Sequence, residues 1–355
     1  MGCLKGMTLR IAARQPNPFK SSDPHCEGVT GIMKKKFNFF TWLLDKRELS
    51  LTILILIMGV ILSLTTETFF TANNIFNIFK QAAITVVLAC GMTFIISGGG
   101  IDLSIANNMC LSSVVLCIVY NATGSSLLAL LSAICLSAGI GALNGVAATK
   151  LGLPPFIVTM GVSNICSGLA LVVTKGYPIN FSKNSLMFTV GQEGLGPIPY
   201  MILLIPVVTI IGQFVLRKTV LGNRLQACGG NAVAASLSGL NVNKLKILTY
   251  TIGGMFAGIA AFMLAGRLNA GNPSSAGTLG MDAICATVVG GTSMAGGGGT
   301  VVGSMVGAIL MQLIKNALIQ YEVDMYWQTT VIGVILICVC AMDVVSRKAG
   351  EKGLK

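Results

Sequence analysis

Gly98-Gly99-Gly100-Ile101-Asp102-Leu103-Ser104 interrupts a chain that is otherwise dominated by long apolar runs. A second interruption, Gly290-Gly291-Thr292-Ser293, continues to Gly296-Gly297-Gly298-Gly299. Glycine weakens a helix by about 1 kcal/mol per residue relative to alanine. In a bilayer, loosened backbone persists only where protein or a water-filled cavity satisfies its polar groups. Because glycine breaks in both halves of a polytopic protein indicate a transport path, the two breaks predict a transporter subunit.

The composition excludes a soluble protein. Of the 355 residues, 54% are hydrophobic and 10% are charged, whereas soluble domains carry about 25% charged residues. We interpret the net charge of +12 as a cytoplasmic excess of lysine and arginine, since the sequence lacks a basic patch with interleaved aromatic residues. The 11 cysteines lack metal-type spacing, which favours buried apolar thiols over a disulfide framework.

The apolar runs predict an all-α, polytopic integral membrane protein. Windows of about twenty residues, enough to cross a bilayer, give about ten transmembrane helices. With these spans, most of the 24 lysines and arginines fall on the same side of the membrane. Because basic residues collect on the cytoplasmic side, both termini are predicted to be cytoplasmic. The predicted spans are Ser50–Phe70, Ile78–Ile96, Ser104–Asn121, Ser126–Thr149, Pro155–Thr174, Pro199–Leu216, Lys246–Gly266, Thr278–Met294, Val301–Gln320 and Met325–Ser346.

The same map predicts the domain organisation. Residues 1–46 form a cytoplasmic N-terminal extension, disordered in part, in which Met33 before three lysines resembles a natural start. Residues 47–346 form the transmembrane domain, which includes a cytoplasmic loop at 217–245. Residues 347–355 form a basic cytoplasmic tail. An external loop, Gly176–Ile198, also exceeds the length of a turn.

Few charged residues lie in or beside the spans. Asp102 has two interpretations, a helix cap at the cytoplasmic interface and a direct role in the path. We interpret Asp282 as a cap at the external end of its span. We expect Lys80, Arg267 and Lys315 to extend along their helices to the outer interface.

The cytoplasmic loop contains a short alanine-rich segment. A turn at Gly229-Gly230-Asn231 leads into a helix that stops at Gly239. Asn231 suits the N-cap of that helix and Gly239 suits its C-terminal end. Such a helix fits a groove on a partner protein, and it is equally consistent with an ordinary loop element.

Several motifs between Gly91 and Asp343 resemble one family. The chain resembles the membrane permease subunits of ATP-binding-cassette (ABC) sugar importers, the family of the ribose, galactose, arabinose, xylose and autoinducer-2 permeases. The motifs that carry this resemblance are Gly91-Met92-Thr93, Gly99-Gly100-Ile101-Asp102-Leu103-Ser104, Asn144-Gly145, Pro154-Pro155-Phe156-Ile157-Val158-Thr159, Gly168-Leu169-Ala170, Gly229-Gly230-Asn231, Gly290-Gly291-Thr292-Ser293 with Gly296-Gly297, Asn316 and Tyr326-Trp327-Gln328.

The resemblance implies a function, partners and a location. It implies import of a monosaccharide or similar small polyol by alternating access, across the bacterial cytoplasmic (inner) membrane. The implied partners are an ABC ATPase subunit that carries ATP and Mg, an extracytoplasmic sugar-binding protein and a second permease subunit, identical or paralogous. The loop then couples to the ATPase, through Gly229, Gly230, Asn231, Ala234, Ala235 and Gly239.

The sequence also departs from the family pattern at three places. Ala232 replaces the usual acidic residue, Ala106 a usual glycine and Met281 a usual glutamate. These departures bear on the ATPase partner and on the sugar rather than on the fold.

The energy source follows from what the sequence lacks. It contains no G-x-x-x-x-G-K-[ST] phosphate loop, so energy comes from a partner or an ion gradient. Because intramembrane carboxylates are few and the only histidine is His25, we favour a partner-driven, non-enzymatic permease that holds no cofactor or metal itself. The alternatives are a gradient-driven secondary transporter of a small polar solute and a channel or scaffold protein. The residues predicted to line the path are Asp102, Asn107, Phe156, Thr159, Thr292, Ser293 and Asn316.

Overall fold

The computed structural model describes residues 47–352. The predicted N-terminal extension, with Met33 and His25, and residues 353–355 lie outside the described residues. The helices are α1 (Arg47–Thr65), α2 (Ala72–Ser97), α3 (Ile105–Thr123), α4 (Ser126–Lys150), α5 (Pro155–Thr174), α6 (Leu186–Gln192), α7 (Tyr200–Lys218), α8 (Val220–Gly230), α9 (Ala232–Leu237), α10 (Val242–Leu268), α11 (Leu279–Val289), α12 (Val301–Gln320) and α13 (Met325–Lys352).

The all-α membrane fold is confirmed. Eight of the described helices are long and apolar enough to cross a membrane, namely α1 to α5, α7, α10 and α12. Two shorter apolar helices, Leu279–Val289 and Tyr326–Ala341, match the remaining predicted spans. The first span ends at Thr65 instead of Phe70, and the last helix continues to Lys352, through part of the predicted tail.

Helix α2 lies at the centre of the bundle. Of its most apolar stretch 83% is buried, against 6% for α1. Close packing of α4 on α10 uses small residues, since a side chain on Gly141 or Gly254 would collide with the backbone of the opposite helix. Small residues let membrane helices approach closely, where dispersion and weak polar contacts hold them together.

Short strands tie the external loop to the bundle. β1 (Ile179–Asn180) pairs antiparallel with β4 (Ala270–Gly271), and β2 (Gly194–Leu195) pairs with β3 (Ile198–Pro199). The β1–β4 pair holds the external loop against the segment that follows α10, and the β2–β3 pair closes a hairpin at the end of the loop.

Helix α11 is shorter than the predicted span Thr278–Met294. Helix α11 has 11 residues and is about 16 Å long, roughly half of a 30 Å hydrocarbon core. A Cβ atom on Gly290 would touch Gly303, and one on Gly307 would touch Ala286, so α11 runs antiparallel to the inner half of α12. This register places Asp282, one turn before Ala286, level with the middle of α12.

A non-helical segment covers the outer half of the bundle that α11 does not reach. A Cβ atom on Gly271 would lie 2.9 Å from the Cα atom of Val114, and the Ser275 hydroxyl lies 3.2 Å from the Cys110 sulfur. A Cβ atom on Gly280 would lie 3.3 Å from the Cβ atom of Ala106. Residues 269–278 therefore run inward along α3, and we call them the re-entrant segment.

Candidate functional site

The first break begins where α2 unwinds. The amide N–H of Gly99 donates to the carbonyl of Ile96 (2.9 Å), and that of Gly100 donates to Ile95 (2.9 Å). Gly99 has φ +79°, a left-handed conformation that favours glycine. The backbone groups at the end of α2 are thus satisfied by a tight glycine turn.

Asp102 organises the turn before α3. Its Oδ1 atom accepts from the amide N–H (2.7 Å) and the hydroxyl (2.6 Å) of Ser104, whose hydroxyl also accepts from Asn144 Nδ2 (2.8 Å). Ser104, rather than Asp102, occupies the N-cap position of α3. The prediction that Asp102 caps α3 is therefore wrong. This buried carboxylate instead stabilises the Asx turn of residues 102–104, just before the helix.

The two breaks and the cytoplasmic loop meet at one place. The amide N–H of Gly297 donates to the carbonyl of Ser97 (3.0 Å). A Cβ atom on Gly229 would overlap that same carbonyl oxygen, and a Cβ atom on Gly296 would lie 3.1 Å from the Cα atom of Gly99. We call these five residues (Ser97, Gly99, Gly229, Gly296 and Gly297) the glycine junction.

The glycines of the junction allow close backbone contact. Gly296 and Gly297 have φ +85° and +82°, and side chains there would also meet the backbone of α8. Gly229 and Gly230 form the last turn of α8, so the predicted turn at Gly229-Gly230-Asn231 is wrong for its two glycines. Close approach, more than loosened helix, explains glycine at these positions.

The short helix of the cytoplasmic loop has the predicted caps. The Asn231 side chain accepts from the amide N–H of Ala234 (2.9 Å). Gly239 has φ +82°, and the Leu240 N–H donates to the Ala235 carbonyl (3.1 Å), which closes a Schellman motif. Helix α9 therefore begins and ends within six residues.

Two apolar side chains of α9 are exposed. Val233 is 71% exposed and Leu237 is 86% exposed, and they lie four residues apart on one face. Ala235 is buried and Ala234 is exposed. Val233 and Leu237 were not predicted to have a role in coupling, although two large apolar residues among alanines and serines were a usable signal.

Four of the predicted path residues lie around α3 and α5. Asn107 donates to the Ser163 hydroxyl (2.8 Å), which connects the two helices. Phe156 is 55% exposed, whereas Thr159 is buried and bonds to the Pro155 carbonyl (2.9 Å) of its own helix. Asp102, the fourth, precedes α3.

The other predicted path residues lie elsewhere. Thr292 is buried beside the glycine junction, and Ser293 is half-buried next to it. Asn316 exchanges hydrogen bonds with Asn74 of α2 (3.2 and 2.7 Å). The structure thus places the seven residues in three separate groups.

A buried ion pair joins α11 to α12. Lys315 Nζ contacts Asp282 Oδ2 and donates to the hydroxyl of Thr278 (2.9 Å). Asp282 is fully buried. The snorkelling interpretation of Lys315 and the external-cap interpretation of Asp282 are both wrong, because the two charges neutralise each other within the bundle.

The sequence comparisons agree with this architecture. A family model described as "Branched-chain amino acid transport system / permease component" matches residues 74–340. The chain is 35% identical over 312 residues to the ribose import permease protein RbsC of Escherichia coli K12, covering 86% of this chain and 96% of the relative. No solved structure matches it.

Two further relatives have the same kind of name. The ribose import permease protein RbsC of Bacillus subtilis is 33% identical over 292 residues, which covers 81% of this chain and 89% of the relative. The D-allose transport system permease protein AlsC of Escherichia coli K12 is 33% identical over 313 residues, covering 87% and 94%. With its helical bundle, its short loop helix and these full-length matches, the chain belongs to the family of ABC-type sugar import permeases.

Proposed function

We propose that this chain is the membrane subunit of an ATP-driven importer for a monosaccharide or a similar small polyol. It is a multi-pass protein of the cytoplasmic (inner) membrane, and its relatives are named for ribose and allose import. The observation that carries the proposal is the glycine junction, because one contact site joins both breaks to the helix that precedes α9.

Coupling to an ATPase is assigned to α9. The helix lies in the cytoplasmic loop and presents Val233 and Leu237 to solvent. Exposed apolar side chains on a rigid, capped element suit a groove on a partner protein. Because the sequence has no phosphate loop, ATP and Mg belong to that partner.

The junction supplies a route from α9 to the spans. Gly229 lies two residues before the N-cap of α9, and it touches the backbone of Ser97 and of the second break. A shift of α9 therefore acts on the end of α2 and on the segment before α12. The coupling residues are Gly229, Gly230, Asn231, Ala234, Ala235 and Gly239, together with Val233 and Leu237.

The solute path is assigned in part from the predicted residues. Asp102, Asn107 and Phe156 lie near the α3–α5 contact, and Asn316 lies between α2 and α12. Thr159, Thr292 and Ser293 are satisfied or enclosed in this conformation, so a role for them requires an alternating-access step that uncovers them. Two permease subunits, identical or paralogous, enclose the path, and an extracytoplasmic binding protein delivers the solute.

The function is tested by reconstitution. The permease is placed in proteoliposomes with its ATPase, and the binding protein is added outside with labelled ribose, arabinose or allose. We expect ATP-dependent accumulation that vanadate blocks and an uncoupler leaves unchanged. Uptake that collapses with the uncoupler but ignores vanadate would favour the gradient-driven alternative, and accumulation of leucine instead of sugar would reject the substrate class alone.

The coupling assignment has its own test. Deletion of part of residues 229–239 should abolish uptake while membrane insertion stays normal. The purified permease alone should show no ATPase activity. Normal uptake by the shortened protein would remove the coupling role from this segment.

A further inference from the structure

The re-entrant segment is polar where a membrane span is normally apolar. Residues 272–278 read Asn-Pro-Ser-Ser-Ala-Gly-Thr. Ser274 and Gly277 are exposed, and the side chains of Asn272, Ser275 and Thr278 are half-buried. The re-entrant segment and α11 together traverse the bundle. The polar surface lies in the outer half and α11 lies in the inner half.

Its backbone is only partly hydrogen-bonded. The Ser274 N–H donates to the Asn272 side chain (3.0 Å), and the Leu279 N–H donates to the Ala276 carbonyl (2.9 Å). Among the hydrogen bonds between described residues, none ends on the carbonyl oxygen of Ser274 or Gly277. Each unsatisfied backbone group is costly in hydrocarbon, so lipid tails do not cover this surface.

The polar surface continues on the neighbouring helix. α3 contacts the re-entrant segment through Cys110 and contacts α5 through Asn107 and Ser163. Asn164, next to Ser163 and at the middle of α5, is exposed. An exposed amide in the middle of a span marks a water-filled or protein-covered face.

A second observation comes from Asp282, just below the segment. Its Oδ2 atom contacts Lys315, whereas its buried Oδ1 atom has no hydrogen-bond partner among the described residues. A buried carboxylate oxygen without a partner is an unsatisfied acceptor, which a water molecule or a hydroxyl group could satisfy.

We propose that the re-entrant segment and the first turn of α11 line the outer half of a water-filled solute path. The Ser274 hydroxyl and the carbonyls of Ser274 and Gly277, which are exposed, offer a donor and acceptors to the hydroxyl groups of a passing solute. The buried Asp282 Oδ1 atom, unpaired among the described residues, lies directly beneath them. The proposal rests on the proposed function only for the nature of that solute. Met281, in the first turn of α11, is 48% exposed.

The test measures reaction of introduced thiols with a charged, membrane-impermeant thiosulfonate. Ser274→Cys and Met281→Cys are made in the complete complex, in sealed right-side-out vesicles. Ile210→Cys, at a position 68% exposed on the unbroken helix α7, is the matched control for a lipid-facing site. Lys183→Cys in the external loop is the control for full access.

We expect both test positions to react at least about tenfold faster than Ile210→Cys, because only a thiol in water forms the reactive thiolate. Reaction of the native cysteines with the reagent gives the background rate. Cys135 and Cys338 are exposed on spans, while Cys228 is enclosed and burial raises its pKa. Mass spectrometry separates these peptides from the introduced sites.

Two results would overturn the proposal. One is reaction of Ser274→Cys and Met281→Cys no faster than Ile210→Cys while Lys183→Cys reacts, which would show a dry surface covered by the partner subunit. The other is complete modification at Ser274→Cys with unchanged uptake, since a charged adduct should block a path. Failure of the unmodified complex to import sugar would instead reject the proposed function, and the labelling rates would still decide the path.

Discussion

The glycine junction and the re-entrant segment are both irregular backbone inside a helical bundle, and they are built in opposite ways. At the junction, Gly229 and Gly297 bring backbone against backbone, and the amide of Gly297 is paired with Ser97. In the re-entrant segment, Ser274 and Gly277 are exposed, and no donor among the described residues bonds to their carbonyls. The tightly packed glycine junction is therefore rich in glycine. The exposed re-entrant segment is instead rich in serine, asparagine and threonine.

This difference separates two mechanical roles. A closely packed junction transmits displacement, because its members cannot slide without collision. A loosely bonded polar segment exchanges hydrogen bonds with water or solute at little cost. The cytoplasmic end is thus suited to coupling and the outer half to contact with solute.

The largest effect is expected from Gly229→Ala. Its Cβ atom would overlap the Ser97 carbonyl, so the junction must open. Gly230→Ala is the matched control for added volume. Gly230 belongs to the same coupling segment, but its Cβ atom would lie 3.5 Å from the Cα atom of Gly297, an ordinary contact, so the junction stays closed. We expect uptake to fall by at least about tenfold in Gly229→Ala and to stay near normal in Gly230→Ala, because cores resist even one added methyl group.

Both variants are compared for membrane level and for ATPase activity of the complex. Loss of uptake with ATP hydrolysis retained would identify uncoupling at the junction. Equal uptake by the two variants would contradict the closed packing of the junction, because the junction would then tolerate extra volume.

The next effect concerns the ion pair below the re-entrant segment. Asp282→Asn leaves Lys315 without its partner, and removal of one member of a buried pair costs about 3–5 kcal/mol. We expect a clearly lower midpoint of thermal unfolding in detergent. The double variant Asp282→Leu/Lys315→Met should recover much of that loss, because apolar residues of similar volume replace buried ion pairs well.

The double variant also separates a structural role of the ion pair from contact with solute. If the pair is purely structural, the double variant recovers both stability and uptake. If Asp282 also contacts solute, stability returns and uptake does not. An unchanged midpoint in Asp282→Asn would show that the pair does not stabilise the bundle.

Part of this architecture was predictable from sequence. Long apolar runs predicted the spans, because bilayer thickness fixes their length. The caps at Asn231 and Gly239 were predictable since capping depends on local chemistry. The turn at Gly229-Gly230 was not, since a glycine pair can end a helix as readily as form a turn.

The contacts between distant segments could not be predicted. Ser97, Gly229 and Gly297 come from three separate parts of the chain, and only the packed bundle brings them together. Lys315 and Asp282 meet because α11 begins at the middle of α12, a depth that hydropathy cannot supply. The re-entrant segment falls between two predicted spans and has the composition of a turn, which gives no sign that it runs inward along α3.

A smaller effect is expected at the cap of α9. Asn231→Ala removes the acceptor for the Ala234 N–H, and loss of such a cap costs about 1 kcal/mol. Asn231→Asp keeps an acceptor and is the control. We expect reduced coupling, measured as sugar imported per ATP hydrolysed, in the alanine variant only. Identical ratios in the two variants would remove the rigid-helix requirement.

The smallest effect is expected at Asn316, which lies near the end of α12 and pairs with the first turn of α2. Asn316→Ala removes the amide pair with Asn74, and interhelical hydrogen bonds in membranes contribute about 0.6 kcal/mol on average. We expect a minor change in thermal midpoint. A structural amide pair predicts that Asn74→Ala reproduces any uptake defect of Asn316→Ala, whereas a path residue predicts a defect for Asn316→Ala alone. The second pattern would extend the open polar region from the re-entrant segment to the α2–α12 contact.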